Sequence, residues 1–475
     1  MSMHMTIIMR AVRVMLFLGV GTATIVPTAA DGKDNVNVMS IGLGIDAALE
    51  RHIAWQRKLL ERRPQEAQFL VLRPGDKLTL CRKGVQGCKR GASPSTSWFK
   101  AHRKHRHWDE VMEASSDGYS RPVSGLGNVA LSLVSAAATA LVSRRVLLIE
   151  RWQVANHSFG PPLSHLILET SGWAPHVAAA QKNGSFIDWF AAHDDMSASE
   201  QLCSIHLRKE SSVANTRLVR IFSNQYFLPL LLLNRHHAAA VERMAIQPTV
   251  SPRRMSGAPP SLFSNGLWGP AVRYLFKLRE PLQRQVDAFV AAKLKGRRSL
   301  GVHLRSVPSE HQEQRDFECI QQRLAATNAS VLLVATMHSH LRDKLARRLK
   351  SVEVVWMDGT EATQGVSTHH MDSAAIDLAL LGRTDSLMLQ KASTFGYLAH
   401  GLGGTPATSY GVGHVSIRMP SGCQDVPTTE PSFHFYGQAL KQYRSCKLGS
   451  NKMLQSKSAL DESTAVLLQL SSVSY

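Results

Sequence analysis

Three short segments hold residue types suited to gripping an anion. His303 and Arg305 close an apolar run, residues 299–305, that reads as a buried strand. In a doubly wound sheet ligands sit at the carboxyl ends of strands, and a guanidinium fixed there binds diphosphate oxygens through paired hydrogen bonds. A salt-bridged structural arginine would look the same. The second segment runs from Lys391 through Ser393, Thr394, Phe395, Gly396 and Tyr397 to His400 and Gly404. Ser393 or Thr394 can cap a helix there, and the free amides of its first turn, with about half a positive charge from the aligned peptide dipoles, attract anions. An ordinary capped helix also fits. The third is Ser124, Gly125, Leu126, Gly127, Asn128. It lacks the third glycine of a dinucleotide fingerprint, which argues against nicotinamide, and it suits a loop that brings backbone close to a ligand held opposite.

The elements needed to hold these residues follow from periodicity. Ala130, Val134, Ala137 and Leu141 share one face of a helix after the glycine loop, and residues 145–150 then read as a strand. A helix is expected over 281–294, with Pro281 in its first turn. Strands are expected at 299–305, 331–335 and 352–356, with helices at 339–349 and 373–381. This alternation predicts an α/β fold with parallel sheets covered by helices. Residues 227–233 are too short to span a membrane and read as core.

With 475 residues the chain has room for two large domains, and 44% hydrophobic residues suffice for sizeable cores. The expected division is 1–30 signal peptide or signal anchor, 31–70 stem, 71–295 and 296–446 as two Rossmann-like domains, and 447–475 a Ser-rich tail. A stretch of helix, 45–62, is expected within the stem. Arg10 and Arg13 precede an uncharged apolar run, Val14–Val26, and Thr28-Ala29-Ala30 resembles a small-residue cleavage site. Cleaved peptide and short anchor both fit. Either sends the rest of the chain into the secretory lumen, so membrane contact is expected through the N-terminal segment alone.

The net charge of +19 suits phosphorylated ligands, anionic lipid or nucleic acid. No nucleic-acid-binding signature accompanies it, and no nucleic-acid partner is expected. The histidines at 102, 105 and 107 are interleaved with lysine and arginine, which makes a solvated basic face the better reading than a metal site; His369 and His370 read as loop. Six cysteines permit disulfides in a lumenal chain, with Cys81–Cys88 and Cys423–Cys446 as local pairs. Asn156, Asn183 and Asn328 head glycosylation sequons. No Asp-x-Asp motif occurs, so no metal is expected.

Together the segments resemble the plant-type α-1,2-fucosyltransferases, the xyloglucan fucosyltransferase family. The run 393–404 is the most specific match. Residues 125–135 with 145–148, 223–229, 301–305 and 429–434 match in the same order. The resemblance implies a GT-B fold, two Rossmann-like domains facing a cleft, and transfer of fucose from GDP-β-L-fucose to a hydroxyl such as galactose O2, in the Golgi lumen on a type II membrane protein. It implies donor contacts from Arg305, His303, Ser393, Thr394, Phe395, Gly396, Gly127, Asn128 and Asp377, and no cofactor beyond the donor. Asp377 equally suits a helix cap or ion pair. A protein O-fucosyltransferase, an α-1,6-type enzyme and a non-catalytic glycan-binding relative are the alternatives. Three departures stand out. Val129 replaces an expected arginine, Ser432 interrupts a Glu-Pro-Cys pattern and would leave one family disulfide unmade, and Asn224 stands where relatives carry aspartate. Asn224 occupies the catalytic position, yet an amide cannot act as a general base.

Overall fold

A computed structural model describes residues 44–74, 125–183, 186–191, 216–228, 267–305, 310–358, 368–411 and 423–431, save a few positions within these ranges. The expected signal segment, the basic histidine run, the local pair Cys81–Cys88, Cys446, Ser432 and the Ser-rich tail lie outside the described residues, as do the side chains of His369 and His370.

Two parallel sheets form the frame. The first holds β1 (Phe69–Pro74), β2 (Val146–Ile149), β3 (Phe186–Ala191) and β4 (Leu218–Ser223) in the order β2-β1-β4-β3. The second holds β5 (Ser299–Leu304), β6 (Val331–Thr336), β7 (Glu353–Val355), β8 (Ser386–Gln390), β9 (Ala407–Tyr410) and β10 (Gln424–Val426) in the order β10-β9-β8-β5-β6-β7. Only the β9–β10 pairing is antiparallel. β1 and β6 are buried along their whole length, the pattern of strands covered on both faces.

The helices are α1 (Ile45–Arg62), α2 (Leu126–Ser143), the short α3 (Ala155–Ser158) and α4 (Leu163–Leu166), α5 (Ala174–Lys182), α6 (Trp268–Leu275), α7 (Glu280–Phe289), α8 (Glu310–Thr327), α9 (Ser339–Arg348), α10 (Thr368–Leu381) and α11 (Thr394–Gly403). A π-turn at Val290–Leu294 extends α7. Among the described residues α2 alone is long and apolar enough to cross a membrane, and it is almost wholly buried inside the protein. Its residues are mostly small, so neighbours approach closely on every side. Ser135 and Thr139 return their hydroxyls to carbonyls one turn back, which lets a polar residue sit in a dry helix.

The fold class expected from the sequence, α/β and GT-B-like with parallel sheets, is the one observed. Three details differ. Residues 45–62 are helical as expected but are not stem. Ile45, Leu49, Ile53 and Leu60 are buried, and Gln56 bonds both ways with the Leu147 backbone. β1, whose first two residues fall within the expected stem, is an inner strand of the first sheet. Cys423 pairs with Cys319, 104 residues away, with Cα atoms 5.8 Å apart, and not with Cys446. Spacing favoured the local partner, while the sheet brings β10 beside α8. Of the sequons, Asn183 and Asn328 are exposed, whereas the Ser158 hydroxyl of the Asn156 sequon donates to Asp372 Oδ1.

One apolar cluster runs through both sheets. It joins Leu70 and Leu72 of β1 and the length of α2 to Leu333, Leu387, Leu389 and Leu398. Polar ties reinforce it: Trp268 Nε1 donates to the Tyr397 carbonyl, and Arg273 to that of Gly401.

His52 is buried in α1 with Nε2 2.9 Å from the Arg145 carbonyl. Burial holds its pKa down to about 4, against the opposing pull of that bond. Such a group protonates more readily in the unfolded chain, so stability is full above pH 6.5 and is lost as pH falls toward 4. The loss attributable to His52 between pH 7 and pH 5 is about 2 kcal/mol. Urea unfolding at the two pH values should therefore show a smaller pH difference, by that amount, in His52→Gln than in the wild type.

Candidate functional site

From β5 the chain steps to β6 and β7 in one direction; from β8 it steps to β9 and β10 in the other. The switch point lies between β5 and β8, and the crevice outside their carboxyl ends is where an open α/β sheet binds ligands. The two segments that end there are His303–Arg305 and Gln390–Phe395.

They are joined directly. The Arg305 amide donates to Gln390 Oε1 at 2.9 Å. Ser393 Oγ lies 3.2 Å from His303 Nδ1 and also accepts the Gly396 amide, capping α11. The His303 and Phe395 rings pack 4.6 Å apart between centroids at 31°. Tyr410 Oη donates to the His303 carbonyl at 2.7 Å. Burial drives the His303 pKa down to about 3, with the Arg305 charge adding to the effect. The imidazole is thus neutral at working pH and serves as a rigid spacer beneath Arg305. Arg305 itself is exposed.

The glycine loop meets this cluster from the first sheet's side. A Cβ on Gly127 would lie 2.5 Å from the Phe395 nitrogen and 2.6 Å from the Thr394 oxygen. Only a glycine lets the start of α2 rest on the peptide that starts α11. Two helix N-termini, each with about half a positive charge, therefore abut near the strand end that carries the exposed Arg305. That arrangement concentrates positive potential and is relieved by an anion bound between them.

The remaining expected residues fall as follows. Thr394 and Phe395 lie in the first turn of α11, and Asn128 is half-buried in the first turn of α2. Ser393 and Gly396 are buried, and here their polar groups serve the helix cap, with Ser393 also steadying His303. Asp377 is buried in α10. A Cβ on Gly301 would touch Leu381. Four residues of helix, about 6 Å, and two of strand, about 6.6 Å, then set Asp377 level with His303 on the same sheet face. Asn224 is buried at the end of β4. The segment after it is pinned by Ser135 Oγ, which accepts the Phe227 and Leu228 amides at 3.0 Å. Tyr226 packs edge-on against Trp268, which bonds to α11, so Asn224 is linked to the cluster through two intermediaries. Val129 is fully buried in the shared core; valine suits that position, where a guanidinium would need a buried counter-charge.

Sequence reasoning missed Gln390 and Tyr410, which fix the backbone on either side of His303. Their strands are only 5 and 4 residues long. Gln390 ends the apolar run just before Lys391, and that change of polarity was the available signal. It also missed the tie across the first sheet's carboxyl edge. There Glu150 accepts from Arg73 at 2.8 Å and lies 3.6 Å from Arg220.

No protein-family model and no curated protein matches this sequence. Solved structures do. A single-residue variant of Arabidopsis thaliana FUT1, in complex with GDP, superposes with a TM-score of 0.54 over 82% of this chain and 84% of that one, at 16% identity. The fold resembles that of FUT1. A Bradyrhizobium fucosyltransferase, NodZ, matches at 15% identity over 64% of this chain and 95% of its own, with a TM-score of 0.39, too low to add to the comparison.

Gly127→Ala should push the 394–395 peptide away and cost about 3 kcal/mol, the upper range for overpacking against backbone that cannot yield. Chemical denaturation of the two proteins measures it, and equal stability would show that the two helix starts do not press on each other.

Proposed function

We propose that this protein is an inverting fucosyltransferase that takes fucose from GDP-β-L-fucose. The observation that carries the reading is the meeting of Arg305 with the amide ends of α2 and α11 at the sheet's switch point. The fold shared with FUT1, whose structure holds GDP, supports it. A nucleoside diphosphate presents two phosphates to a site built from one fixed cation and two helix starts, and no metal is needed to balance its charge.

In the reaction a hydroxyl of the acceptor attacks the anomeric carbon as the bond to the β-phosphate oxygen breaks on the opposite face. The β-linked donor becomes an α-fucoside and GDP departs. Negative charge grows on the leaving diphosphate, and Arg305 with the first-turn amides of Thr394 and Phe395 stabilises it where it develops. Thr394, Phe395, Gly127 and Asn128 shape the phosphate crevice; Asp377, level with His303, would face the rest of the donor. The acceptor's proton passes to water or to the departing phosphate, because Asn224 offers no basic group.

The finer assignment is a plant-type α-1,2-fucosyltransferase acting on galactose O2 of a cell-wall or glycoprotein glycan. The run 393–404 favours it over protein O-fucosyl and α-1,6 types. The Val14–Val26 run after Arg10 and Arg13 supports a Golgi-lumenal placement, anchored or released by cleavage. Asn224 and Val129 favour, as a second reading, a relative that binds the nucleotide without turnover.

Arg305→Ala should lower GDP affinity and transfer rate roughly 10- to 100-fold, the worth of one charged hydrogen-bond partner. Because the side chain is exposed, unfolding should be unchanged. GDP release measured against a panel of galactose-ended glycans tests this together with the acceptor class; wild-type turnover in the arginine variant removes Arg305 from the site. Asn224→Asp, which supplies the missing base, should raise kcat about 100-fold, the lower end of the range for general-base assistance. GDP binding with no turnover in either protein would favour the binding-only reading.

A further inference from the structure

Asn156, Asn183 and Asn328 each head an Asn-x-Ser triplet, and the sequence ranks the three alike. Their surroundings differ. Asn328 is exposed in the turn between α8 and β6, and so is Ser330, which completes its triplet. Asn183 is exposed at the end of α5, just before β3. Ser158, in the triplet of Asn156, is fully buried, and its hydroxyl is committed to Asp372 Oδ1 at 2.6 Å.

We propose that Asn183 and Asn328 carry N-linked glycans while Asn156 stays bare, which puts the carbohydrate on the edges of the sheets opposite the crevice. The proposal rests on the lumenal placement argued above. The Cys319–Cys423 bridge supports that placement independently, because such bonds persist in oxidising compartments.

At Asn328 the turn is closed by backbone alone. Its amide donates to the Ala325 carbonyl at 3.2 Å, and the Ala329 amide to that of Leu324 at 3.1 Å. The φ of 49° lies in the left-handed region, which asparagine enters more readily than most residues. Ser330 also meets its neighbours through its backbone: the amide donates to the Arg298 carbonyl at 2.9 Å, and the carbonyl accepts the Glu353 amide at 3.1 Å. An exposed asparagine and an exposed serine thus stand two residues apart, the pattern a glycan transferase reads. At Asn183 the backbone amide ends α5 by donating to the Ala179 carbonyl at 3.1 Å, and that helix end asks nothing of the carboxamide.

In the transfer, Nδ2 bonds to the anomeric carbon of an oligosaccharide carried on a lipid diphosphate. The bond from that carbon to the phosphate oxygen breaks, Nδ2 releases one proton, and the lipid diphosphate leaves. No electrons are gained or lost by either partner.

Both acceptors lie at the amino ends of parallel strands. Val331 pairs with Ser299 and Thr336 with Leu304, so the six residues of β6, about 20 Å, separate Asn328 from the ends where the crevice opens. The six residues of β3, parallel to β4, likewise stand between Asn183 and the strand end that leads to Asn224. Sugars at these two points leave the crevice clear. Asn156 follows the opposite, carboxyl end of β2. Its Nδ2 donates to Thr170 Oγ1 at 3.3 Å, and its carbonyl accepts from Arg279 at 2.9 Å. A sugar there would wedge into that contact, against a segment tied to α3 by the Arg279 amide on the Ser158 carbonyl at 3.0 Å.

The full chain, produced in eukaryotic secretory cells and purified in folded form, tests this by glycopeptide mass analysis and by the band shift on enzymatic removal of N-glycans. Two glycans are expected. Asn183→Asp and Asn328→Asp should each abolish one step of the shift, Ser330→Ala should match Asn328→Asp, and Asn156→Gln should abolish none. A bare Asn183 or Asn328 in the purified wild type, or a sugar on Asn156, overturns the assignment, and the wild-type glycopeptides decide it even where a variant fails to fold. Failure of the lumenal reading looks different. Protease added to sealed vesicles then digests the chain, whereas a protected chain without glycans leaves that reading standing and sinks the two sites.

Discussion

The contact between Gly127 and the Thr394–Phe395 peptide governs the organisation of the site. It sets the starts of two buried helices against each other at the edge where both sheets end. Helix starts repel one another weakly, so the contact persists because the apolar cluster around α2, α6 and α11 presses the elements together from behind. The local unfavourable field is thus maintained by burial elsewhere, and in the proposed function a diphosphate is the species that turns it into binding energy. His303 completes the arrangement by remaining uncharged. A protonated imidazole 3.2 Å from Ser393 would crowd a third cation into the same space.

In the proposed reaction the catalytic position is Asn224, an amide. Its neighbours are firmly held: Ser135 accepts the Phe227 and Leu228 amides, and Tyr226 packs edge-on against Trp268. The burden then falls on leaving-group stabilisation, the part of the site most fully built.

Much of this was legible in the residues. α1 and α2, β2, β5 and β6 follow from periodicity, and the crevice follows from His303, Arg305 and the capped turn, because both kinds of signal are local. What stayed hidden depends on neighbours distant in sequence. α1 follows a polar stretch and carries many charges of its own, so its place looked like stem, although its apolar face is buried. The Cys319–Cys423 bridge spans 104 residues, a pairing that a preference for local partners passes over. β8 and β9 are too short to show a period, so Gln390 and Tyr410 were invisible as supports. The pattern offered Ser393 or Thr394 as the cap, and the resemblance implied a donor contact from both. Ser393 is the cap, and the same hydroxyl also meets His303, a partner 90 residues away.

Leu70 of β1 and Leu389 of β8 belong to one apolar cluster, although more than 300 residues separate them. Neither sheet owns the interior that stabilises it. Cutting the chain between α7 and β5 would bare a broad greasy surface on both halves, so neither fragment is suited to an independent life in solution. The two sheets should melt together in a single step, and the crevice between them cannot gape by swinging one half away.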